Sequence, residues 1–348
     1  MRIGTRTFAE KFHFFMKTKM MSMGLILALG SLISSCQKGE LDPSQPGNLV
    51  PPTVEQDLSL PRIAVNGTLL HSEAFGSPDS ALLIVIHGGP GSDYRSLLNC
   101  KEFADQGYRV VFYDQRGSGL SKRHSKDSYT IDLMVDDLSA VIDYYKTRPD
   151  QKVFLLGHSW GAMLATDFIN TYPNQIDGAI LCEPGGFTYT QMKEYIKRSR
   201  HYGPFSETLN DAVYLDQFFT GKEDGHEVLD YKFGLWASSD GAKDNPIGNE
   251  GPVPFWRGGA VVNDALFTIA DAQGFDFTTN LGQFDTQVLF AYSENNTAYG
   301  EQHARNVSSA YQNVQFFLVD DAGHDMLTFP RGWQNFYPVA LSYLNNLK

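Results

Sequence analysis

One stretch of the sequence decides the fold: Val153-Phe154-Leu155-Leu156-Gly157-His158-Ser159-Trp160-Gly161. The apolar run at its start predicts a buried strand, and the glycines allow a turn that is too sharp for residues with a Cβ atom. A strand, a sharp turn and a helix in this order lift the side chain of Ser159 above the edge of a sheet. A serine hydroxyl becomes a nucleophile when a neighbouring base takes its proton. Ser159 is therefore the candidate nucleophile.

A second glycine-rich loop follows another apolar run earlier in the chain. Residues 82–86 read Leu-Leu-Ile-Val-Ile, which is typical of a buried parallel strand, and residues 87–91 read His-Gly-Gly-Pro-Gly. Glycines at such a position let backbone N–H groups point into a site. These groups stabilise the negative charge that develops on a carbonyl oxygen under nucleophilic attack. The loop is therefore a candidate oxyanion hole.

Apolar runs alternate with helical patterns along the rest of the chain. Strands are predicted at 63–70 (a hairpin with an Asn-Gly turn), 81–87, 108–114, 152–158, 177–183, 287–293 and 314–320. Helical patterns lie between these runs, for instance at 131–138 and 331–346. The alternation predicts an α/β fold, a mostly parallel sheet with helices on both faces. Residues 185–285 hold no core-type strand and are predicted to form a helical cap inserted before the penultimate strand.

The composition narrows the possible function classes. The chain has 348 residues, 42% hydrophobic and 13% aromatic, which suits one large α/β domain with an insertion as well as two average domains. No basic patch interleaved with aromatic residues occurs, which argues against a nucleic-acid partner. The sequence has no His-Glu-x-x-His motif and no paired cysteines, so we expect no metal and no cofactor. Cys100 and Cys182 are expected to be free buried thiols.

The N-terminal residues have the pattern of an export signal. Two lysines precede an apolar stretch at 23–30 that is short for a membrane span, and Ile33-Ser34-Ser35-Cys36 follows. This pattern resembles a bacterial lipobox and predicts a lipoprotein-type signal peptide at 1–35, with Cys36 lipidated at the cell envelope. The alternative is a plain signal peptide with an incidental cysteine. Residues 36–60, rich in Pro, Ser and Gly, are predicted to be a flexible tether.

Four motifs together resemble the α/β-hydrolase superfamily and, within it, the prolyl aminopeptidases (proline iminopeptidases). The motifs are H-G-G-P-G at 87–91, D-x-R-G-x-G at 114–119, G-x-S-W-G at 157–161 and G-H at 323–324. The resemblance implies an α/β-hydrolase core at 61–184 and 286–348 under the cap at 185–285. It also implies a serine peptidase that releases an N-terminal residue, often proline, through an acyl-enzyme. Relatives with the same loops include amidases, esterases and lactonases.

The resemblance also assigns roles to individual residues. His324 follows the last apolar strand, where the general base of this fold resides, and it would activate Ser159. The backbone N–H groups of Gly89 and Trp160 would be the oxyanion donors. Catalysis would then need only one more group, an acid that orients the histidine and stabilises its positive charge.

The sequence departs from the family at this acid. An aspartate is expected just after the strand at 288–292, where the chain reads Ser293-Glu294-Asn295-Asn296. Glu294 can both orient the ring and supply charge, so it is the first candidate, whereas Asn295 can only orient the ring. Glu183, at the end of the preceding parallel strand, is the alternative, because some α/β-hydrolases carry their acid there.

An aminopeptidase must also bind the α-ammonium group of its substrate. If Glu294 serves the triad, Glu183 is a candidate for this role, since a desolvated ammonium needs a counter-charge. The cap offers further carboxylates, and these are Glu194, Glu207, Glu223, Glu227 and Glu250. Trp256 is one of the cap aromatics that could wall a pocket for a proline-sized ring. Two other functions stay open: an esterase, amidase or lactonase on a small acyl substrate, and a catalytically decayed binding lipoprotein at the cell surface.

Replacing Cys36 tests the predicted anchor. Cys36→Ala should move the protein from the membrane fraction to the soluble fraction, because the lipid would be the main apolar anchor once the signal is removed. The measurement is membrane partitioning of the wild type and the variant. Unchanged partitioning of the variant would rule out lipidation at Cys36.

Overall fold

One mixed sheet organises the part of the chain that the computed structural model describes, which is residues 50–199, 225–239 and 246–348. The strands are β1 (Arg62–Val65), β2 (Thr68–Phe75), β3 (Ala81–Ile86), β4 (Tyr108–Tyr113), β5 (Val153–His158), β6 (Gly178–Cys182), β7 (Val288–Ser293) and β8 (Val314–Val319). Their order across the sheet is β1-β2-β4-β3-β5-β6-β7-β8. The pairs β1–β2 and β2–β4 are antiparallel, and every pair from β4–β3 to β7–β8 is parallel.

Helices cover both faces of this sheet. The α-helices are α1 (Ile131–Tyr145), α2 (Trp160–Thr171), α3 (Tyr189–Ser199), α4 (Gly225–Ser239), α5 (Ala260–Gln273), α6 (Gly300–Ser308) and α7 (Pro330–Leu347), and 3₁₀ segments lie at Tyr94–Gln106, Lys126–Ser128 and Leu281–Gln283. β3 is buried along its whole length, because its alternate side chains enter two different cores. One core packs against α1 and α2 and the other against α7. Double coverage explains why the central strands are continuously apolar.

The predicted fold class is confirmed by this architecture. The parallel strands lie where the apolar runs predicted them, and the hairpin at 63–70 is formed by β1 and β2. Between β6 and the penultimate strand β7, the described residues contain α3, α4 and α5, which occupy the region predicted to be the cap. The parallel register brings the carboxyl ends of β3, β5, β6, β7 and β8 to one edge of the sheet, where sites form in open α/β sheets.

The structure corrects the predicted extent of the tether. Residues 1–49 lie outside the described residues, so the signal peptide, Cys36 and most of the tether stay predictions. The last part of the tether instead packs on the folded body. Val54 is fully buried and its N–H donates to the carbonyl of Leu120 at 2.8 Å. The carbonyl of Pro51 accepts a hydrogen bond from the buried Arg257 at 2.9 Å, so polar contacts hold a segment whose composition suggested a linker.

Two further findings concern cysteines and membranes. Cys100 and Cys182 are both buried and free, as predicted. Within residues 50–199, 225–239 and 246–348, no helix combines the length and apolar character that crossing a bilayer requires.

Replacing Gly161, in the first turn of α2, tests how closely this helix packs on the sheet. A Cβ atom there would lie 2.6 Å from the carbonyl oxygen of His87 and closer still to that of Ile86. Gly161→Ala should therefore lower the free energy of unfolding by about 1–3 kcal/mol through overpacking, measured by chemical denaturation. Gly251→Ala is the matched control, because its new Cβ would find its nearest neighbour, Phe329, at 3.9 Å. Equal stability of the two variants would contradict the close packing.

Candidate active site

Ser159 lies in a strained turn between β5 and α2. Its backbone has φ 54° and ψ −119°, a left-handed value that a residue with a side chain rarely adopts. A Cβ atom at Gly157 would lie 2.6 Å from the backbone of Ala162, so only glycine fits there. The N–H of Ser159 donates to the carbonyl of Cys182 at 2.8 Å, which anchors the turn to β6. Strain of this kind is held by surrounding structure and is common at active sites.

The loop after β3 supplies the expected backbone donors. Gly89 has φ 116°, a conformation open to glycine, and it precedes a cis peptide bond to Pro90. His87 braces the loop, since its Nε2 accepts a hydrogen bond from the N–H of Gln115 at 2.9 Å. Among the described residues, the N–H groups of Gly89 and Trp160 donate to no protein acceptor. Gly89 and Trp160 line one cavity together with Ser159, so both N–H groups are free to meet a ligand there.

His324 and Glu183 form a hydrogen-bonded pair at the same edge of the sheet. The distance between His324 Nδ1 and Glu183 Oε2 is 2.7 Å. Glu183 follows β6 directly with φ 43°, and His324 lies in the loop after β8. The ring of His324 lies 4.8 Å from that of His158, the neighbour of Ser159. Within the described residues the Ser159 hydroxyl has no hydrogen-bond partner.

The carboxylate of Glu183 is fully buried and fully hydrogen-bonded. Its Oε1 accepts from the N–H and the hydroxyl of Ser293, at 2.7 and 2.6 Å. Its Oε2 accepts from Asn296 Nδ2 at 2.7 Å as well as from His324. Burial would raise the pKa of Glu183, but the hydrogen bonds from His324 and Ser293 outweigh it and hold the pKa below its ordinary value. The group is therefore an anion at neutral pH.

The pair also changes the basicity of His324. Burial would lower the pKa of His324, but the hydrogen bond and the charge of Glu183 raise it above the ordinary histidine value. The neighbouring His158 has a lowered pKa because it is buried and faces His324, so it stays neutral. His158 Nε2 contacts the carbonyl oxygen of His324 at 2.8 Å, which braces the loop. A buried base with a raised pKa next to a buried carboxylate is the arrangement that proton abstraction requires.

The structure does not place Glu294 where a triad acid would lie. Glu294 is exposed, and its Oε2 accepts a hydrogen bond from the N–H of Asp321 at 2.9 Å. The reason is the alternation of side chains at the end of β7, because Ser293 points towards Glu183 and the next residue points away. Asn295 is exposed as well. The structure therefore brings Glu183, the alternative candidate, to His324 and leaves Glu294, the first candidate, away from it.

Two expected substrate contacts also change. Glu183 is 0% exposed and both of its oxygens are engaged, so it cannot meet a substrate ammonium. Trp256 packs instead on the ring of Tyr94, with centroids 4.9 Å apart, and is not among the described residues that line the cavity. Of the cap carboxylates, Glu194 and Glu250 are exposed and Glu227 is partly buried, whereas Glu207 and Glu223 lie outside the described residues.

The cavity beside Ser159 is small and apolar. Its volume is about 150 Å³. Its apolar side chains come from α1, α2 and the cap helices, and they include Ile131, Met163, Met192, Ile196, Leu266 and Phe267. None of the described residues that line it carries a charge. Within the described residues, no group of three or more His, Cys, Asp or Glu could hold a metal ion.

Tyr195, Asn296 and Ser293 belong to the site, although sequence reasoning did not single them out. The hydroxyl of Tyr195, on cap helix α3, lies 3.3 Å from His324 Nδ1 and accepts from Asn296 Nδ2 at 3.1 Å. Tyr195 also lines the cavity with Ser159, so the cap contacts the base directly. Ser293 and Asn296 flank Glu294 and Asn295 in the sequence. The segment expected to supply the acid therefore supplies hydrogen-bond donors to Glu183, at the end of the neighbouring strand.

Parts of this chain are similar to known hydrolases. The family model described as serine aminopeptidase, S33, matches residues 77–210. A proline iminopeptidase of Thermoplasma volcanium is 38% identical over 103 residues, 30% of this chain and 34% of that protein. Epoxide hydrolase 1 of Caenorhabditis elegans is 37% identical over 135 residues, 37% of this chain and 32% of that protein. The chain thus spans about a third of the length of these relatives.

Longer but weaker similarities extend through the cap. A proline iminopeptidase of Pestalotiopsis fici is 24% identical over 282 residues, 76% of this chain and 92% of that protein. The crystal structure of a proline iminopeptidase from Mycobacterium smegmatis has a TM-score of 0.56 and 16% identity, over 82% of this chain and 97% of that chain. The crystal structure of the enol-lactonase from Burkholderia xenovorans has a TM-score of 0.56 and 18% identity, and the match covers 82% of this chain and 100% of that chain. Likeness at this identity shows a shared fold.

Two matched substitutions distinguish the carboxylates. Glu183→Gln should lower kcat by about 10²–10⁴, because the imidazolium that forms in the transition state loses its counter-charge. Its loss should also lower the pKa of His324, whose raised value depends on Glu183. The base must be neutral to act, so the acid limb of the kcat/KM profile should move to lower pH. Glu294→Gln is the control and should leave kcat and the acid limb unchanged; the reverse pattern would restore Glu294 as the acid.

Proposed function

We propose that this chain, which belongs to the α/β-hydrolase superfamily and is related to the prolyl aminopeptidases, is a serine hydrolase that forms an acyl-enzyme on Ser159. The observation that carries the proposal is the buried hydrogen bond of 2.7 Å between His324 and Glu183, at the same sheet edge as a strained serine turn. A histidine held by an ionised carboxylate at the same sheet edge as a serine turn is the arrangement of a nucleophilic hydrolase.

The chemistry follows from these groups in two halves. The Ser159 oxygen attacks the carbonyl carbon of the substrate while His324 takes the hydroxyl proton, and Glu183 stabilises the imidazolium. The N–H groups of Gly89 and Trp160 meet the negative oxygen of the tetrahedral intermediate. His324 then returns the proton to the leaving amine or alcohol as the bond to it breaks. Water attacks the acyl-enzyme by the same route, which releases the acid and restores the hydroxyl of Ser159.

The residue at position 159 separates two groups of relatives. Epoxide hydrolases stand among the similar proteins, and an aspartate at the turn would have suggested that chemistry. Position 159 is serine, which favours attack on a carbonyl carbon and an acyl intermediate. The proposal therefore follows the peptidase and esterase branch of the relatives rather than the epoxide hydrolases.

For the acyl group, we propose a small apolar residue of the proline type. A cavity of about 150 Å³ that is lined by aliphatic and aromatic side chains suits a compact ring. The proline iminopeptidases among the relatives support an N-terminal proline as the group that is released. The activity would be exported and held at the cell envelope through Cys36. Its substrates would then be small peptides outside the cytoplasm.

A second candidate function is an esterase or amidase on an uncharged acyl group. The observation in its favour is that the described residues lining the cavity carry no charge. A substrate ammonium desolvated there would need a carboxylate, and Glu183 is already engaged. An uncharged acyl group needs no such partner. The charge of the substrate is therefore the property that separates the two functions.

A matched pair of substrates tests this choice on the mature protein. Proline β-naphthylamide and its N-acetyl derivative share the ring and the leaving group but differ in the charged amine. An aminopeptidase should cleave the free amine with at least about tenfold higher kcat/KM, since a counter-charge would favour it. Equal or better cleavage of the acetylated compound, or of p-nitrophenyl acetate alone, would favour the second function.

The control for every substrate is Ser159→Ala. It should lower kcat by about 10³-fold or more without unfolding the protein, because the acyl-enzyme needs the serine oxygen. Retention of more than about a tenth of the wild-type kcat would exclude Ser159 as the nucleophile. Circular dichroism of the variant checks that the fold is intact.

A further inference from the structure

We infer that Asn263 of cap helix α5 is a positioning residue that holds the oxyanion loop in place. Residues 87–91 form this loop, and Gly89 within it carries one of the free N–H groups. Asn263 lies outside the loop and touches no reacting atom. The inference rests on the proposed function, since an oxyanion loop matters for rate only if Ser159 attacks a carbonyl carbon. It adds a route by which the cap contributes to transition-state stabilisation.

The first observation is a pair of hydrogen bonds that fall just after Gly89. Asn263 Nδ2 donates to the carbonyl of Pro90 at 2.6 Å. The N–H of Gly259 donates to the carbonyl of Gly91, also at 2.6 Å. The two carbonyl groups that follow the oxyanion donor are thus both held by the start of α5. A loop of glycines has little stiffness of its own, so its conformation depends on such outside partners.

The second observation is the close approach of the two backbones. A Cβ atom at Gly91 would lie 2.5 Å from the carbonyl oxygen of Gly259 and 3.2 Å from Cβ of Asn263. A Cβ atom at Gly259 would in turn meet the carbonyl oxygen of Gly117. The loop is therefore seated directly against the helix start with no side chain between them. Contact this close leaves the loop little freedom to shift while Asn263 stays bound.

The third observation is an anchor on the other side of the same segment. Asp93 is fully buried, and its Oδ2 accepts from the N–H groups of Trp256 and Arg257. Arg95 Nη1 donates to the carbonyl of Phe255 at 2.9 Å. The chain that leads into α5 is thus fastened to residues 93–95 before α5 reaches Pro90. The backbone that carries Asn263 is therefore held in place, and a residue that positions a loop needs such support.

The same helix also lines the cavity beside Ser159, where the acyl group would bind. Leu266 and Phe267 follow Asn263 by three and four residues, so they lie on the same face of α5, and both line the cavity beside Ser159. Recognition of the acyl group and placement of the oxyanion donor are therefore carried by one rigid element. Asn263 is partly exposed, so removing its side chain should disturb the loop more than the stability of the fold.

The test uses a probe that needs no knowledge of the natural substrate. Fluorophosphonates phosphonylate an activated serine, with fluoride as the leaving group, and the phosphoryl oxygen occupies the oxyanion hole. Labelling of Ser159 is followed by intact mass for the wild type, Asn263→Ala and the isosteric Asn263→Asp. Asn280→Ala is the control, because it removes an amide that donates to the carbonyl of Asn170 at 3.2 Å, away from the loop.

Both Asn263 variants should label about tenfold more slowly, a fraction of the 10²–10³ that loss of a whole oxyanion donor costs. On the better substrate of the matched pair, kcat should fall by a similar factor while KM changes by less than about twofold, as expected for an interaction made in the transition state. Asn280→Ala should label at the wild-type rate. Thermal unfolding of the four proteins identifies any variant that has lost its fold. Asn263→Asp keeps the size of the side chain, so it remains informative if Asn263→Ala does not fold.

The outcomes separate the inference from the function on which it rests. If wild-type Ser159 is not labelled and neither substrate is cleaved, the proposed function fails and the inference fails with it. If the wild type is labelled and folded Asn263 variants react like Asn280→Ala, the function stands and the inference is overturned. A rise in KM with unchanged kcat would also overturn it, because that pattern indicates a role in ground-state binding.

Discussion

The buried carboxylate of Glu183 is the group on which the site depends. It is fully excluded from solvent and accepts hydrogen bonds from Ser293, Asn296 and His324. An ionised carboxylate is costly to bury unless each oxygen is satisfied, so these partners are required for the fold as well as for the histidine. Ser293 ends β7, Asn296 lies just after it and His324 lies in the loop after β8, while Glu183 itself follows β6. The carboxylate of Glu183 thus links the carboxyl ends of β6, β7 and β8 through its hydrogen bonds.

Close backbone contacts perform a similar task for the other half of the site. Gly157 and Gly161 let α2 approach the ends of β3 and β5, and Gly91 lets the oxyanion loop approach α5. The shortest of these contacts are made to backbone atoms, so backbone geometry places the serine turn and the N–H groups beside it. Rigid placement suits oxyanion stabilisation, which relies on donors that need no reorganisation during the reaction.

The cap contributes more than a cover for the cavity. Tyr195 contacts His324, Asn263 contacts the loop at Pro90, and Leu266 and Phe267 line the space beside Ser159. The described cap residues therefore contact His324 and the loop at 87–91, and they line the cavity beside Ser159.

Local sequence was sufficient for the sheet, the serine turn, the glycine loop and the position of His324. These features depend on apolar runs and glycine positions, and both patterns can be recognised within a few neighbouring residues of the sequence. It was not sufficient for the acid, because Glu294 and Glu183 both follow apolar strands and no local pattern separates them. The tertiary structure places Glu183 and not Glu294 beside His324, through the alternation of side chains at the end of β7, which turns Ser293 inward and Glu294 outward. The same holds for Tyr195 and Asn263, since their partners lie more than a hundred residues away in the chain.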